Sequence, residues 1–275
     1  MDELYVLARR VLLDALDALG THRDAVVLVG AQAIYLRVGE ADLAVAASTT
    51  DGDLIIDPRR LAQAPPLEAA LRAAGFLPQG GDAVGTWVTT RKTAASVDID
   101  VAIDLMVPQG ASATPGRRST HLPGHDPRVA RKVRGLEGAL VDADVLSLVA
   151  LEPGDARTFD LRVAGPAALL VAKLHKIQER RDSARLNDKD ALDVVRLLRG
   201  AATADMASRM RGMVADSRAR EAARPALPWL AELFGQRRGE GVRMAQRAAS
   251  GLVDAAEIEA SCVALASELL RSIEG

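Results

Sequence analysis

The run Val97-Asp98-Ile99-Asp100-Val101-Ala102-Ile103-Asp104-Leu105-Met106-Val107 constrains this chain more than any other segment. Its odd positions are all apolar, and three of its even positions are aspartates. A strand sends successive side chains to opposite faces, so the pattern predicts a strand over Ser96–Val107 with one buried face and one acidic face. Three carboxylates on one face repel each other unless solvent or cations compensate. The surrounding domain must therefore leave that face wet or supply it with positive charge.

A second acidic strand precedes it. Asp51-Gly52-Asp53 opens the apolar run Leu54-Ile55-Ile56, which the Asp57-Pro58 pair ends. Residues two apart on a strand share a face, so Asp51 and Asp53 can grip one hard cation, and Gly52 leaves room for a ligand or a tight turn. Mg²⁺ prefers a few carboxylates together with water and substrate phosphates. A pair of such ions can clamp the attacking and leaving oxygens of a phosphoryl transfer. A D-x-D match alone reads more readily as solvated residues at a strand edge. Two acidic strands in one small domain favour a shared cation site. Asp104 is the best third ligand, because the stretch Ile103–Val107 around it is the most apolar part of its strand and an isolated carboxylate is costly to bury there. Asp100 is the alternative.

Around these strands, apolar residues at helical spacing (Leu7, Val11, Leu12, Ala15, Leu19) predict a helix over Leu4–Leu19 that stops at Gly20. Val26–Val29 reads as a buried strand, Gly30 as a turn, and Ala31–Leu36 as a helix start, an order in which backbone N–H groups can meet phosphate. A helix is expected over Leu67–Ala74 and a strand over Thr86–Thr90, antiparallel to Ser96–Val107. A loop is expected over Pro108–Gly124, then strand and turn over residues 129–163. The character changes at Gly165-Pro166, since Pro suits a first helical position. Helices follow over Ala167–Gln178, Asp188–Leu198, Ala201–Ala215, Leu227–Phe234, Gly241–Ala249 and Ala255–Ile273. The expected fold is α/β (α+β): a mixed-sheet domain over residues 1–165 and a helical domain over residues 166–275.

Composition narrows the function classes. A net charge of −2 gives no sign of nucleic-acid binding. The single cysteine, Cys262, excludes an internal disulfide and a Cys-rich zinc site. No basic leader precedes an apolar run, and no stretch approaches the ~18–20 apolar residues that span a bilayer, so a cytoplasmic protein without membrane contact is expected. His121 and His125 lie four apart, but the Pro-Gly between them makes a loop rather than a zinc-binding helix face. The basic cluster Arg128, Arg131, Lys132 and Arg134 could receive RNA phosphate, yet reads more readily as a solvated face. No Ser-His-Asp or Cys-His arrangement stands out.

The order strand, Gly30, helix, Asp51-x-Asp53 and a further strand aspartate resembles the nucleotidyltransferase fold of the polymerase-β superfamily. Gly30-Ala31-Gln32-Ala33-Ile34 stands where that superfamily carries a Gly-Gly or Gly-Ser turn. Lys173-Leu174-His175-Lys176, followed by Asp188-Lys189-Asp190-Ala191-Leu192-Asp193, resembles the second half of AbiEii-type proteins, which include MenA-like toxins. The resemblance spans residues 26–198. It implies a Mg²⁺-dependent (or Mn²⁺-dependent) enzyme that moves a nucleoside monophosphate from an NTP, such as ATP, to an acceptor hydroxyl. Asp51, Asp53 and Asp104 would hold metal; Gly30, Ala31, Thr50 and Lys173 would face the nucleotide. Asp190 or Asp188 would orient Lys173 or the acceptor. For a toxin of this type the acceptor would be a tRNA 3′ end and a cognate antitoxin a partner. A small-molecule or protein acceptor is the enzyme alternative, and a nucleotide-binding regulator without turnover is the non-enzyme one. Two departures stand out: Ala31 replaces the second turn residue, and the gap from Gly30 to Asp51 implies an insertion around Glu40–Thr49.

Overall fold

The computed structural model describes residues 2–39, 49–81, 83–112 and 119–275. The expected insertion lies outside the described residues up to position 48, as does the part of the expected 108–124 loop from 113 to 118. The chain forms two compact units: Met1–Ala33, Ala47–Val133 and Asp144–Val163 make the first, and Ile34–Ala46, Arg134–Ala143 and Ala164–Gly275 the second.

Helix α1 (Glu3–Leu19) opens the first unit, capped by the Asp2 side chain on the Leu4 amide and closed by Gly20 at φ +48°. Its buried stripe includes Leu12 and Leu16, both fully enclosed. Strand β1 (Val26–Val29) is buried throughout and feeds α2 (Gly30–Val38). Strand β2 (Asp51–Ile56) opens on the aspartate pair, which puts both carboxylates on the strand as expected. Helix α3 (Leu67–Ala73) leads to β3 (Leu77–Pro78), a two-residue exposed edge too short to leave a periodic signal. Strand β4 (Thr86–Lys92) runs two residues past its expected end, and β5 (Asp98–Pro108) is the long alternating strand. Strands β6 (Arg131–Val133), β7 (Ala143–Val149) and β8 (Thr158–Ala164) complete the sheet.

The strand order is β3-β4-β5-β2-β1-β8-β7, with β6 paired to β5 off that path. Two pairings decide the site. Strand β2 lies parallel to β5 with Asp53 abreast of Asp104 and Asp51 abreast of Ala102. Strand β4 lies antiparallel to β5, as expected, from Lys92↔Asp98 to Thr86↔Asp104; β6 takes over the same edge, parallel, from Met106↔Arg131 onward. The neighbour of β5 thus changes immediately after Asp104. Gly85 makes the handover: its carbonyl accepts from the Leu105 amide at 2.7 Å, and at φ +76° it has no room for a side chain, since a Cβ would lie 2.5 Å from the Arg131 nitrogen. The opposite face of the sheet is apolar. A Cβ at Gly52 would meet Ile103 at 2.7 Å and Leu12 of α1 at 3.2 Å, so α1 covers the side that the aspartates do not use.

The second unit is mainly helical. Helices α4 (Pro166–Arg180), α5 (Asp188–Gly200), α6 (Thr203–Ala215), α7 (Arg220–Phe234), α8 (Glu240–Ala248) and α9 (Ala255–Glu274) pack mainly α4 on α5 and α7, α5 on α8 and α9, and α6 on α9. Helix α7 starts seven residues before its expected beginning at Leu227 because it continues through Pro225 and Pro228. Proline removes a helix donor and disfavours the turn before it. Here Ala222, Ala223, Ala226 and Leu230 are nonetheless all buried along one stripe, and that packing carries the helix past both prolines. Among the described residues no helix is long and apolar enough to cross a membrane.

Candidate active site

The acidic face of the first unit is assembled by strand register. Because β2 and β5 run parallel with Asp53 beside Asp104, those two side chains leave the sheet on the same face, about 4.8 Å apart at strand spacing. Asp51 lies two residues along the same strand and shares the face. Asp98 and Asp100 fall beyond the start of β2; Asp100 instead accepts from the Thr90 hydroxyl at 2.8 Å in the open. Of the two candidates for third aspartate, geometry therefore brings Asp104 to the pair.

Gly30 forms the floor. It sits at φ +69°, where a side chain is strained, and a Cβ there would lie 1.9 Å from Asp53 Oδ2. The carboxylate of Asp53 thus rests against the bare α-carbon at the first residue of α2. Helix N-termini favour negative charge. Ala31 follows in the helix and is buried. Of the two threonines before Asp51, Thr49 is the one in contact: its hydroxyl donates to Asp51 Oδ1 at 2.6 Å, while Thr50 is exposed.

A buried polar chain holds Asp51 from behind. The Gln32 amide donates to the Asp51 carbonyl at 2.9 Å, and Gln32 Oε1 accepts from Arg9 Nε at 2.8 Å. Arg9 also donates to the Val149 carbonyl at 2.9 Å and to the Tyr5 hydroxyl at 3.0 Å. These acceptors are neutral, so burial holds the guanidinium below its ordinary value, and Tyr5 offsets only part of the shift. Neither Arg9 nor Gln32 is legible in the sequence as part of a site, because a buried arginine with only neutral partners leaves no recognisable spacing.

Asp104 is engaged on both oxygens. Thr86 donates to Oδ1 at 2.6 Å and Arg131 to Oδ2 at 2.7 Å. Burial acts to lower the charge affinity of Arg131, but its hydrogen bond to Asp104, then the charges of Asp104, Asp53 and Asp51, outweigh burial and hold it above its ordinary value. All three aspartates therefore act electrostatically on the one guanidinium. Arg131 is thus a member of the acidic face and not simply part of a solvated basic run. Of its expected companions, Arg128 is turned to the Gly81 and Ala83 carbonyls. Among the described residues no group of three or more His, Cys, Asp or Glu side chains is gathered closely enough to hold a metal ion. Two carboxylates on one strand face, beside a helix start, are the kind of donors a hard cation takes.

His125 belongs elsewhere. His125 accepts from the Leu67 amide at 3.0 Å through Nδ1 and lies 2.9 Å from the Ala62 carbonyl through Nε2, so it ties down a loop.

Lys173 and Asp190 lie in the second unit, on α4 and α5. Lys173 Nζ stands 2.8 Å from Asp190 and 2.7 Å from Asp193. Lys176 adds a contact to Asp190 at 3.0 Å, and Arg196 pairs with Asp193 at 2.9 Å. Burial opposes the Lys173 charge, but Asp193 and Asp190 together hold it above the ordinary lysine range. Asp190 is held below its ordinary value, burial being outweighed by Lys173 and then Lys176. Asp188 is a half-buried partner of Arg247 at 2.7 Å. Lys173 therefore takes Asp190, with Asp193 as a second anchor, and not Asp188. Asp142 sets the start of α4: it accepts from the Ala168 amide at 2.8 Å and from Arg209 at 2.7 Å, and a Cβ at Gly165 would fall 1.9 Å from it.

The crystal structure of an antigenic nucleotidyltransferase-like protein from Paracoccidioides brasiliensis is a distant likeness, with 16% identity over 89% of this chain and 93% of that one and a TM-score of 0.47. No curated protein matches the chain. A family model described as nucleotidyltransferase matches residues 9–213, a span that takes in both acidic strands, Gly30, Arg131, Lys173 and Asp190. The chain belongs to this nucleotidyltransferase family.

Proposed function

We propose that the protein transfers a nucleoside monophosphate from an NTP to an acceptor hydroxyl with the help of a divalent cation, Mg²⁺ or Mn²⁺. The observation that carries this reading is the register that sets Asp53 beside Asp104, with Gly30 left bare beneath Asp53. In the reaction the hydroxyl oxygen forms a bond to the α-phosphorus, the bond to the β-phosphate bridging oxygen breaks, and pyrophosphate leaves. The hydroxyl proton passes to solvent or to a carboxylate of the acidic face. Asp51 and Asp53 would hold the cation, which supplies charge neutralisation for the phosphates. Thr49 and the Arg9–Gln32 chain fix Asp51, and Gly30 admits the triphosphate close to the backbone. Catalysis of this kind rests on positioning and charge placement more than on covalent chemistry.

Lys173 and Asp190 stay in the proposal on the strength of the resemblance of this chain's own Lys173–Lys176 and Asp188–Asp193 segments to AbiEii-type proteins. Their supporting observation is that two buried carboxylates keep the ammonium charged. The same resemblance makes a tRNA 3′ end the first acceptor to try, and a cognate antitoxin the first partner.

The test is incubation with each α-³²P-labelled NTP, Mg²⁺ and, separately, total RNA, a small-molecule extract and protein. Label on RNA with wild type and none with Asp53→Asn supports transfer to RNA. Label on a small molecule or protein keeps the chemistry and moves the acceptor. NTP binding without transfer to anything supports a second reading, a nucleotide-binding protein without turnover, which the engagement of both Asp104 oxygens favours.

A further inference from the structure

We propose that Arg9 is a positioning residue for nucleotidyl transfer: it sets the direction of the Gln32 side-chain amide, and Gln32 in turn holds the backbone of Asp51 at the acidic face. The inference rests on the reading above that transfer takes place at that face. It makes a buried residue of α1, remote in sequence from both acidic strands, part of the machinery.

Three observations carry it, and all the residues concerned belong to the first unit. First, Asp51 lies past the end of a neighbouring strand. Strand β1 pairs with β2 from Val26↔Ile56 to Val29↔Asp53 and then turns into α2, so Asp51 finds no partner on β1. A backbone polar group left unpaired in such a place is costly. The Gln32 amide, from the first turn of α2, stands in for the missing strand and donates to the Asp51 carbonyl at 2.9 Å. Second, the direction of that amide is forced. A carbonyl only accepts and a guanidinium only donates. Arg9 Nε donates to Gln32 Oε1 at 2.8 Å, which turns the amide nitrogen toward Asp51. The flipped amide would set donor against donor and acceptor against acceptor. Third, Arg9 is held in place. It is 2% exposed and Gln32 1%, and Arg9 is anchored by the Val149 carbonyl at 2.9 Å and the Tyr5 hydroxyl at 3.0 Å. Because the Asp51 carboxylate hangs on the backbone that Gln32 holds, a shift of that carbonyl moves the carboxylate and its bond from Thr49.

The experiment separates holding Asp51 from holding the fold. Full-length wild type, Gln32→Met, Gln32→Glu and Arg9→Met are each melted, and each is assayed with α-³²P-labelled NTP on the acceptor fraction (RNA, small-molecule extract or protein) that wild type labels. Gln32→Met loses both bonds. Gln32→Glu keeps the bond from Arg9, now with charge on both partners, but turns an oxygen toward the Asp51 carbonyl where a donor is needed. It should therefore melt above Gln32→Met and yet transfer no faster, each variant losing roughly tenfold to a hundredfold in kcat. Arg9→Met should lose rate as well, and combining it with Gln32→Met should cost no more than the larger single loss, since the two act in series. A role in folding alone would make rates follow the melts, with Gln32→Glu faster than Gln32→Met. That result would overturn the proposal while leaving transfer at the acidic face intact. So would additive losses, or a folded Gln32→Met or Gln32→Glu protein with the wild-type kcat. If Arg9→Met or Gln32→Glu does not fold, the rate of Gln32→Met decides. A wild type that labels no acceptor would remove the reading of the acidic face itself, and the inference with it.

Discussion

Replacing Gly30 with alanine tests whether the turn is shaped for the carboxylate above it. The added Cβ would stand 1.9 Å from Asp53 Oδ2, whereas ordinary contact begins at 3.4 Å, so the oxygen must retreat by about 1.5 Å. The backbone at φ +69° adds a strain of roughly 1–2 kcal/mol for any residue with a Cβ. Displacing a catalytic group by about 1 Å costs on the order of 10²-fold in rate. Gly20→Ala is the matched control: φ is +48°, and nothing lies within 4 Å of the new Cβ, so it carries the strain without the collision. Thermal melts and nucleotidyl-transfer rates are to be measured on both. Both melts should fall by a few degrees, at roughly 2–4 °C per kcal/mol for a domain of this size. The rate should fall about a hundredfold in Gly30→Ala alone. A folded Gly30→Ala protein with the wild-type rate would refute the idea that Asp53 must rest where Gly30 lets it.

Four further outcomes follow from the same contacts. Lys173→Met leaves Asp190 and Asp193 buried around a neutral side chain and should cost about 3 kcal/mol in denaturant unfolding, as Lys176 and Arg196 compensate only in part. Because Asp190 is held below the ordinary aspartate value of 3.8, its contribution to stability is full above that pH and is lost as pH falls through the lower folded value; Asp190→Asn should flatten the acid limb of a stability–pH curve. Asp142→Ala removes the acceptor for the Ala168 amide and the partner of Arg209, and should cost about 1–3 kcal/mol by thermal melt, with Asp142→Asn milder. Cys262 is fully buried and burial pushes its thiol up to about 12, so thiol reagents should leave the native protein unlabelled and modify it as soon as α9 opens.

The features legible in the sequence were those with a period. The alternation through Val97–Val107 predicted β5, and its apolar side is the one that packs under α1. The pairing of Asp53 with Asp104 was within reach because Ile103–Val107 is too apolar for an unaccompanied carboxylate. The rest depended on contacts that leave no local trace. Nothing in the sequence around Arg131 distinguishes it from Arg128, yet only Arg131 opens the strand that takes over from β4 beside Asp104. Arg9 sits in a helix whose buried stripe is otherwise apolar or tyrosine, and its partner Gln32 becomes meaningful only once β2 lies beside β1. The choice between Asp188 and Asp190 turned on which helical face meets α4, and two residues on a helix differ by more than half a turn. Helix α7 was underestimated because local proline chemistry argued against a stripe that tertiary packing sustains.

The central claim is tested most directly by asking which phosphate stays with the acceptor. Parallel reactions with α-³²P and γ-³²P forms of the same NTP, run on wild type and Asp53→Asn, give the answer in one gel. The account predicts that the α-label is retained, that the γ-label leaves as pyrophosphate, and that Asp53→Asn transfers neither. Retention of the γ-label, or equal transfer by the Asp53→Asn protein, would contradict it.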